Sequence, residues 1–143
     1  MFVSEVLRDK GDLVFTASPT ETVEAVAAML YARRVGALVV VEGERDVVGI
    51  VSERDIVRMV AEHGGAGLAR PVSDCMTHEV SYADLSDTVD ALMERMTSRR
   101  IRHWPVCQDG RLVGIVSIGD LVKSKIAETT AEAEGLRAYI HAA

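Results

Sequence analysis

Aromatic residues are scarce: Phe, Tyr and Trp make up 4% of the 143 residues. The core must therefore be built mainly from aliphatic side chains. Cysteine is nearly absent too. Cys75 and Cys107 stand far apart, which supports neither a disulfide scaffold nor a zinc site, and both are expected to be reduced thiols of a cytosolic protein. No long hydrophobic run occurs. The longest, Val35 to Val41, is far too short to span a bilayer. The start, Met1-Phe-Val-Ser-Glu-Val-Leu-Arg, carries an acid and lacks a signal-peptide layout, so the expected location is cytoplasmic, with no membrane partner. An excess of positive charge is also missing. Sixteen Lys and Arg face 22 Asp and Glu, for a net charge of −6. That disfavours non-specific binding to nucleic acid or anionic membranes, which needs a basic face, but leaves room for a small local cluster of arginines.

What is present is a repeat. Gly49-Ile-Val-Ser52-Glu-Arg-Asp55 returns as Gly114-Ile-Val-Ser117-Ile-Gly-Asp120. Upstream, Thr22-Val-Glu-Ala-Val26 matches Thr88-Val-Asp-Ala-Leu92, and Arg33-Arg-Val35 matches Arg99-Arg-Ile101. Val23, Val26, Ala27 and Leu30 form a helical stripe, as do Val89, Leu92, Met93 and Met96. Ser18-Pro-Thr-Glu21 has the form of a capping box with Pro at the first helical position, and Asp84 to Asp87 is its counterpart. Short β-prone pieces precede each, at Leu13 to Thr16 and Glu79 to Tyr82.

Each stripe is followed by an apolar strand and a hairpin. The second hairpin turns at Asp109-Gly110, a strong turn signal. The first turn, Glu42-Gly-Glu-Arg-Asp46, is one residue longer. A second helix closes each unit, with Ile56, Val57, Val60 and Ala61 expected inside in the first half and Leu121, Val122 and Ile126 in the second. Val3-Ser-Glu5 and Val72-Ser-Asp74 form matched lead-ins.

The expected fold class is therefore α/β (α+β): two β-α-β-β-α repeats packed with pseudo-twofold symmetry, plus a C-terminal helical extension. The repeats fall at 1–62 and 72–126, with a linker at 63–71 and a tail at 127–143. One repeat is too small to bury a core alone. In the tail, Leu136, Tyr139 and Ile140 lie at helical spacing and suggest a helix with interface contacts, although Gly135 weakens it.

Ser52-x-x-Asp55 and Ser117-x-x-Asp120 each sit where a strand turns into a helix. As structure, each is a capping box. As chemistry, a helix N-terminus offers free N–H groups and partial positive charge to a phosphate, and Ser adds a donor. A carboxylate repels phosphate but can accept from both hydroxyls of a ribose. Arg54 and Arg58 flank Asp55 and read either as a solvated helix face or as a phosphate clamp. The second half has Gly119 and Lys123 at their places, so two bound nucleotides would differ in phosphate number or affinity. His103 has no metal-spaced companion. No catalytic nucleophile set and no Gly-rich phosphate loop with Lys occurs, so the chain reads as no enzyme and carries no catalytic cofactor or metal.

The combination of Thr88-Val-Asp-Ala91, Ile101-Arg-His-Trp-Pro-Val106 and Gly114 to Asp120 resembles the cystathionine-β-synthase (CBS) domain family, and two such units resemble a Bateman module. The resemblance covers about Val3 to Lys125. It implies a regulatory, non-catalytic module that binds adenosine-containing ligands (AMP, ADP, ATP, NAD or S-adenosylmethionine) and associates into a homodimer. It places Asp55 and Asp120 on the ribose and Ser52 and Ser117 on phosphate. The strand holding Arg102, His103 and Pro105 would line the adenine pocket. The first half has Gly36-Ala-Leu-Val39 there, so equal use of both pockets is not implied. Trp104 is expected in a core or interface role. The output would pass to an unidentified regulated protein, and the competing reading is a scaffold whose clefts stay empty.

Overall fold

The computed structural model describes residues 1–142 except Asp12 and Arg45. Arg45, in the first hairpin turn, and Ala143, at the end of the tail, lie outside the described residues. The order is α1 (Val3–Lys10), β1 (Thr16–Ala17), α2 (Val23–Arg33), β2 (Ala37–Glu42), β3 (Asp46–Ser52), α3 (Glu53–His63), α4 (Val89–Arg99), β4 (His103–Gln108), β5 (Arg111–Ser117) and α5 (Ile118–Ala142). Two short 3-10 helices, Gly64–Ala69 and Val72–Asp74, join the halves.

The hairpins are near copies. β2 and β3 pair antiparallel, with Val40 opposite Gly49 and a bulge between Val40 and Val41. β4 and β5 pair the same way, with Val106 opposite Gly114 and a bulge between Val106 and Cys107. Asp109 and Gly110 both take positive φ, 53° and 75°, the two-residue turn that matches strand twist.

The β-prone pieces form further along the chain than expected. β1 is Thr16–Ala17, parallel to Val39 and Val40. Its counterpart is a single bridge between Ala83 and Val106. Burial decides this: Ala17 and Ala83 are inside the cores, whereas Leu13 and Tyr82 are exposed. The helix starts also shift. Ser18–Glu21 is a turn in which Ser18 N donates to the Glu21 carboxylate, and Asp84–Asp87 repeats it. α2 and α4 begin later, where Thr22 and Thr88 accept from the backbone N–H of Ala25 and Ala91 and so satisfy free first-turn donors.

The two lobes exchange their lead-ins. In the first core, Val23, Val26, Leu38, Val40 and Val51 surround Val72, Cys75 and Met76 from the start of the second repeat. In the second core, Leu92, Met96, Trp104, Val116 and Leu121 surround Val3, Val6 and Leu7 from α1. The backbone follows suit. Val3 N donates to Asp87 O and Val89 N to Met1 O; Val72 N donates to Glu21 O and Val23 N to Arg70 O. Burying a Val, Leu or Met side chain contributes about 1.5–3 kcal/mol, so each lobe depends on residues from the other repeat.

The repeated glycines have their reason here. A Cβ on Gly114 would stand 2.8 Å from Leu7, and one on Gly49 would stand 2.5 Å from the Met76 sulfur. Each hairpin stays bare where the exchanged side chain crosses it.

The closing helices are rotated from the expected phase. On α3 the inward residues are Asp55, Ile56 and Met59, while Ala61 faces solvent and Val57 and Val60 are 67% and 41% exposed. On α5 Leu121 is inside, and Val122 and Ile126 are exposed. The N-cap fixes this phase, because Asp55 must turn back to Ser52. Trp104 is fully buried in the second core. Its indole N–H has no hydrogen-bond partner among the described residues, and the Arg95 guanidinium stacks 4.6 Å from the ring centroid.

Candidate functional site

The repeats meet in a cleft of about 230 Å³. One wall is the β3–α3 junction with Ser52, Glu53, Arg54 and Asp55, and the other is the approach to β4 with Arg100, Arg102 and His103. An adjoining depression of about 430 Å³ shares Arg54, Arg100 and Arg102. The repeat sets this geometry: α4 ends with Arg100 in the left-handed conformation, φ 56°, as Arg34 ends α2 at φ 54°. The chain then turns sharply into β4, leaving Arg102 and His103 at the mouth.

Ser52 caps α3. Its hydroxyl accepts from Asp55 N at 3.4 Å and donates to Asp55 Oδ2 at 3.1 Å, and Ser52 N donates to the same oxygen at 2.8 Å. Asp55 is 7% exposed. Its Oδ1 accepts from Arg58, which also donates to Cys75 O. Arg58 thus ties α3 to the exchanged lead-in and does not line the cleft. Burial, then the Asp55 charge, pushes the Cys75 thiol pKa up.

Arg54, Arg100 and Arg102 behave differently. All three are exposed, and none pairs through its side chain with another described residue. Three free guanidiniums on one cleft make a local positive site in an acidic chain, suited to a multiply charged oxyanion.

The second junction repeats the cap with another partner. Ser117 N donates to Asp120 Oδ2 at 2.8 Å and Asp120 N to Ser117 Oγ at 3.1 Å. Lys10, at the end of the exchanged α1, reaches across to Asp120 Oδ2 at 2.6 Å and to Ile115 O at 2.8 Å. Burial alone would raise the Asp120 pKa, but the Lys10 and Ser117 contacts outweigh it and the net shift is downward. His103 pairs with Ser117 across the β4–β5 hairpin and reaches over to Gly36, where an added Cβ would lie 3.0 Å from its Nε2. Its pKa is lowered by burial first and by Lys10 second, which keeps the ring neutral near pH 7.

The cleft thus brings together Ser52, Arg54, Asp55, Arg102 and His103. Ser117 and Asp120 lie at the second junction, Pro105 is buried within β4, and Arg58 is turned away. Sequence reasoning did not single out Arg100, Lys10 or Thr77, which also lines the cleft. The Arg33-Arg34 and Arg99-Arg100 match was the available signal for Arg100; nothing local marks Lys10. Among the described residues no cluster of His, Cys, Asp and Glu could hold a metal ion, and no helix is long and apolar enough to cross a membrane.

The comparisons agree with this architecture. The chain is 35% identical to a mitochondrial CBS domain-containing protein of Arabidopsis thaliana, over 96% of this chain and 71% of that one. Among solved structures, a CBS-domain protein of Agrobacterium tumefaciens superposes with a TM-score of 0.85 at 44% identity, covering 87% of this chain and 99% of the other. A CBS domain protein of Pyrobaculum aerophilum, solved in complex with AMP, gives a TM-score of 0.73 at 32% identity, with 84% and 89% covered. The CBS domain family model matches twice, at residues 3–62 and 72–126. With its two exchanged lobes and paired β-junction caps, the chain belongs to the CBS domain family as a tandem pair.

Proposed function

We propose that this chain is a non-catalytic regulatory module that binds an adenosine nucleotide in the cleft beside Ser52, with its phosphates over Arg54, Arg100 and Arg102. The observation that carries this reading is the convergence, on a helix N-terminus between the repeats, of three guanidiniums that have no partner among the described residues. Phosphate is the natural ligand of such a site. The AMP complex of the Pyrobaculum relative supports adenosine as the attached group. Three arginines favour a di- or triphosphate over AMP. Asp55 accepts from the ribose through the remaining lone pair of Oδ1, beside the bond from Arg58, while Oδ2 is held by Ser52. The second junction is the weaker site, because Gly36 and Gly119 stand where the first cleft has Arg102 and Arg54, and Lys10 occupies Asp120.

Occupancy is read out through association. Val57, Val60, Val122 and Ile126 are apolar and exposed, a face suited to a homodimer, with a regulated protein as the further partner. The scaffold reading draws on one observation: both Ser-Asp pairs are already satisfied internally as helix caps.

Thermal unfolding with ATP, ADP, AMP, NAD and S-adenosylmethionine separates the two. A ligand at 100 times its dissociation constant stabilises by about 2.7 kcal/mol, several degrees at this size. The nucleotide reading expects ATP or ADP to give the largest shift and Arg102→Ala to reduce it. No shift with any of the five leaves the scaffold.

A further inference from the structure

α5 is a single helix of 25 residues, about 37 Å long at 1.5 Å per residue. Only its first turns pack on the body: Leu121 is buried, Lys125 pairs with Asp90, and Glu128 is half-buried. From Thr129 to Ala142 every residue is exposed, including Leu136, Tyr139 and Ile140 at 61%, 76% and 61%.

The exposed residues follow a pattern. Val122, Ile126, Thr129, Ala133, Leu136 and Ile140 are spaced 4, 3, 4, 3 and 4 apart. That alternation is the 3.5-residue period of a coiled-coil seam. The line lies roughly a quarter-turn round the helix from Leu121, so it does not compete with the packed face. It begins at the exposed Val122 and Ile126 and runs unbroken to Ile140.

Charges beside the seam choose the occupant. Glu132 and Arg137 flank it on opposite sides, five residues apart, and neither makes a hydrogen bond or ion pair among the described residues. In a parallel, in-register pair of helices each Glu132 faces the Arg137 of the other copy, the usual interhelical salt-bridge relation. In an antiparallel pair, residues on one side of the seam face the same side of the partner. The Arg137 side holds Lys123, Thr130 and Arg137 and offers no opposite charge. On the other side the one free acid is Glu132, and its basic neighbour Lys125 is already paired with Asp90.

We infer that α5 forms a parallel two-stranded coiled coil with α5 of a second copy of this chain. The contact sets the two modules head to head and uses none of the residues that line the Arg54 cleft. The inference refines the homodimer reading and rests on it, while nucleotide binding stands apart from it.

The test uses the full chain in sedimentation equilibrium, with a cross-linking arm. Ile140→Asp, at an exposed position outside both cores, is expected to weaken the dimer by about tenfold or more. Glu132→Arg is expected to weaken it by about threefold, and Glu132→Arg with Arg137→Glu to restore it. Leu136→Cys in a Cys107→Ser background is expected to give a disulfide-linked dimer on mild oxidation, whereas Tyr31→Cys in the same background, more exposed than Leu136 but on α2, is expected to stay unlinked. A dimer unaffected by Ile140→Asp, or one in which residue 136 does not cross-link, overturns the coiled coil and keeps the dimer. A monomeric wild type overturns both, and the thermal shift with ATP is read independently on the same sample.

Discussion

The two β-to-helix junctions share a backbone and differ in charge. Both have the Ser-Asp cap, the bulged hairpin and a bare glycine under an exchanged side chain. At the first junction Asp55 is held by Arg58, from its own helix, and three other arginines on the cleft have no side-chain partner among the described residues. At the second, Asp120 is held by Lys10 from the chain start, and glycines replace two of the arginines. A duplicated fold therefore does not make a duplicated site. The cap preserves the architecture, and the residues beside it set the charge of each cleft.

The largest expected effect probes the shared architecture. Leu7→Ala removes the side chain that α1 inserts over Gly114 and should destabilise by about 2–5 kcal/mol, read as a lower urea midpoint. Met76→Ala should do the same from the other side. If either costs little, the lead-in exchange is not what holds that lobe.

The next effect addresses the charge difference. Arg54→Ala with Arg102→Ala should weaken ATP binding by at least about tenfold, since each charge-assisted hydrogen bond contributes about 1.5–3 kcal/mol, and should leave the unfolding midpoint without ligand nearly unchanged. Gly119→Arg sharpens the comparison. A Cβ there meets nothing closer than the Ser117 hydroxyl at 3.6 Å, so the variant should fold and gain phosphate affinity at the second junction, read as increased stoichiometry.

Smaller effects lie in pH dependence. Lys10→Met should cost under about 1 kcal/mol, the range of a partly exposed ion pair. Asp120 titrates below its ordinary 3.8. The stability it contributes is therefore present above that value and lost as pH falls through the folded pKa. The gap between wild type and Lys10→Met should accordingly be full at pH 7 and close in strong acid. His103 titrates below 6.5 when folded. Its contribution is likewise present above 6.5 and declines as the solution is acidified below it. His103→Gln should flatten the urea midpoint between pH 7 and pH 5, the smallest change of the set.

Much of this was legible in the sequence because it is local. The stripes of α2 and α4 are read from spacing, and Asp109-Gly110 dictates its turn. The repeated motif located both junctions. What was not legible depends on partners distant in sequence. Nothing near Lys10 marks it for Asp120, and nothing near Leu7 marks it for Gly114. The apolar character of Val57 and Val60 predicts burial, whereas the cap turns Asp55 inward and leaves both valines outside. Arg54 and Arg58 share a helix face at a spacing of four, yet Arg58 is drawn to Asp55 and Cys75 O while Arg54 stays on the cleft.

The most direct test of the central claim is calorimetric titration of the wild-type chain and the Arg54→Ala/Arg102→Ala variant with ATP. One tight site per chain, lost in the variant and kept in Lys10→Met, is the predicted result. Equal ATP binding by the wild type and the arginine variant would contradict it and place the nucleotide elsewhere.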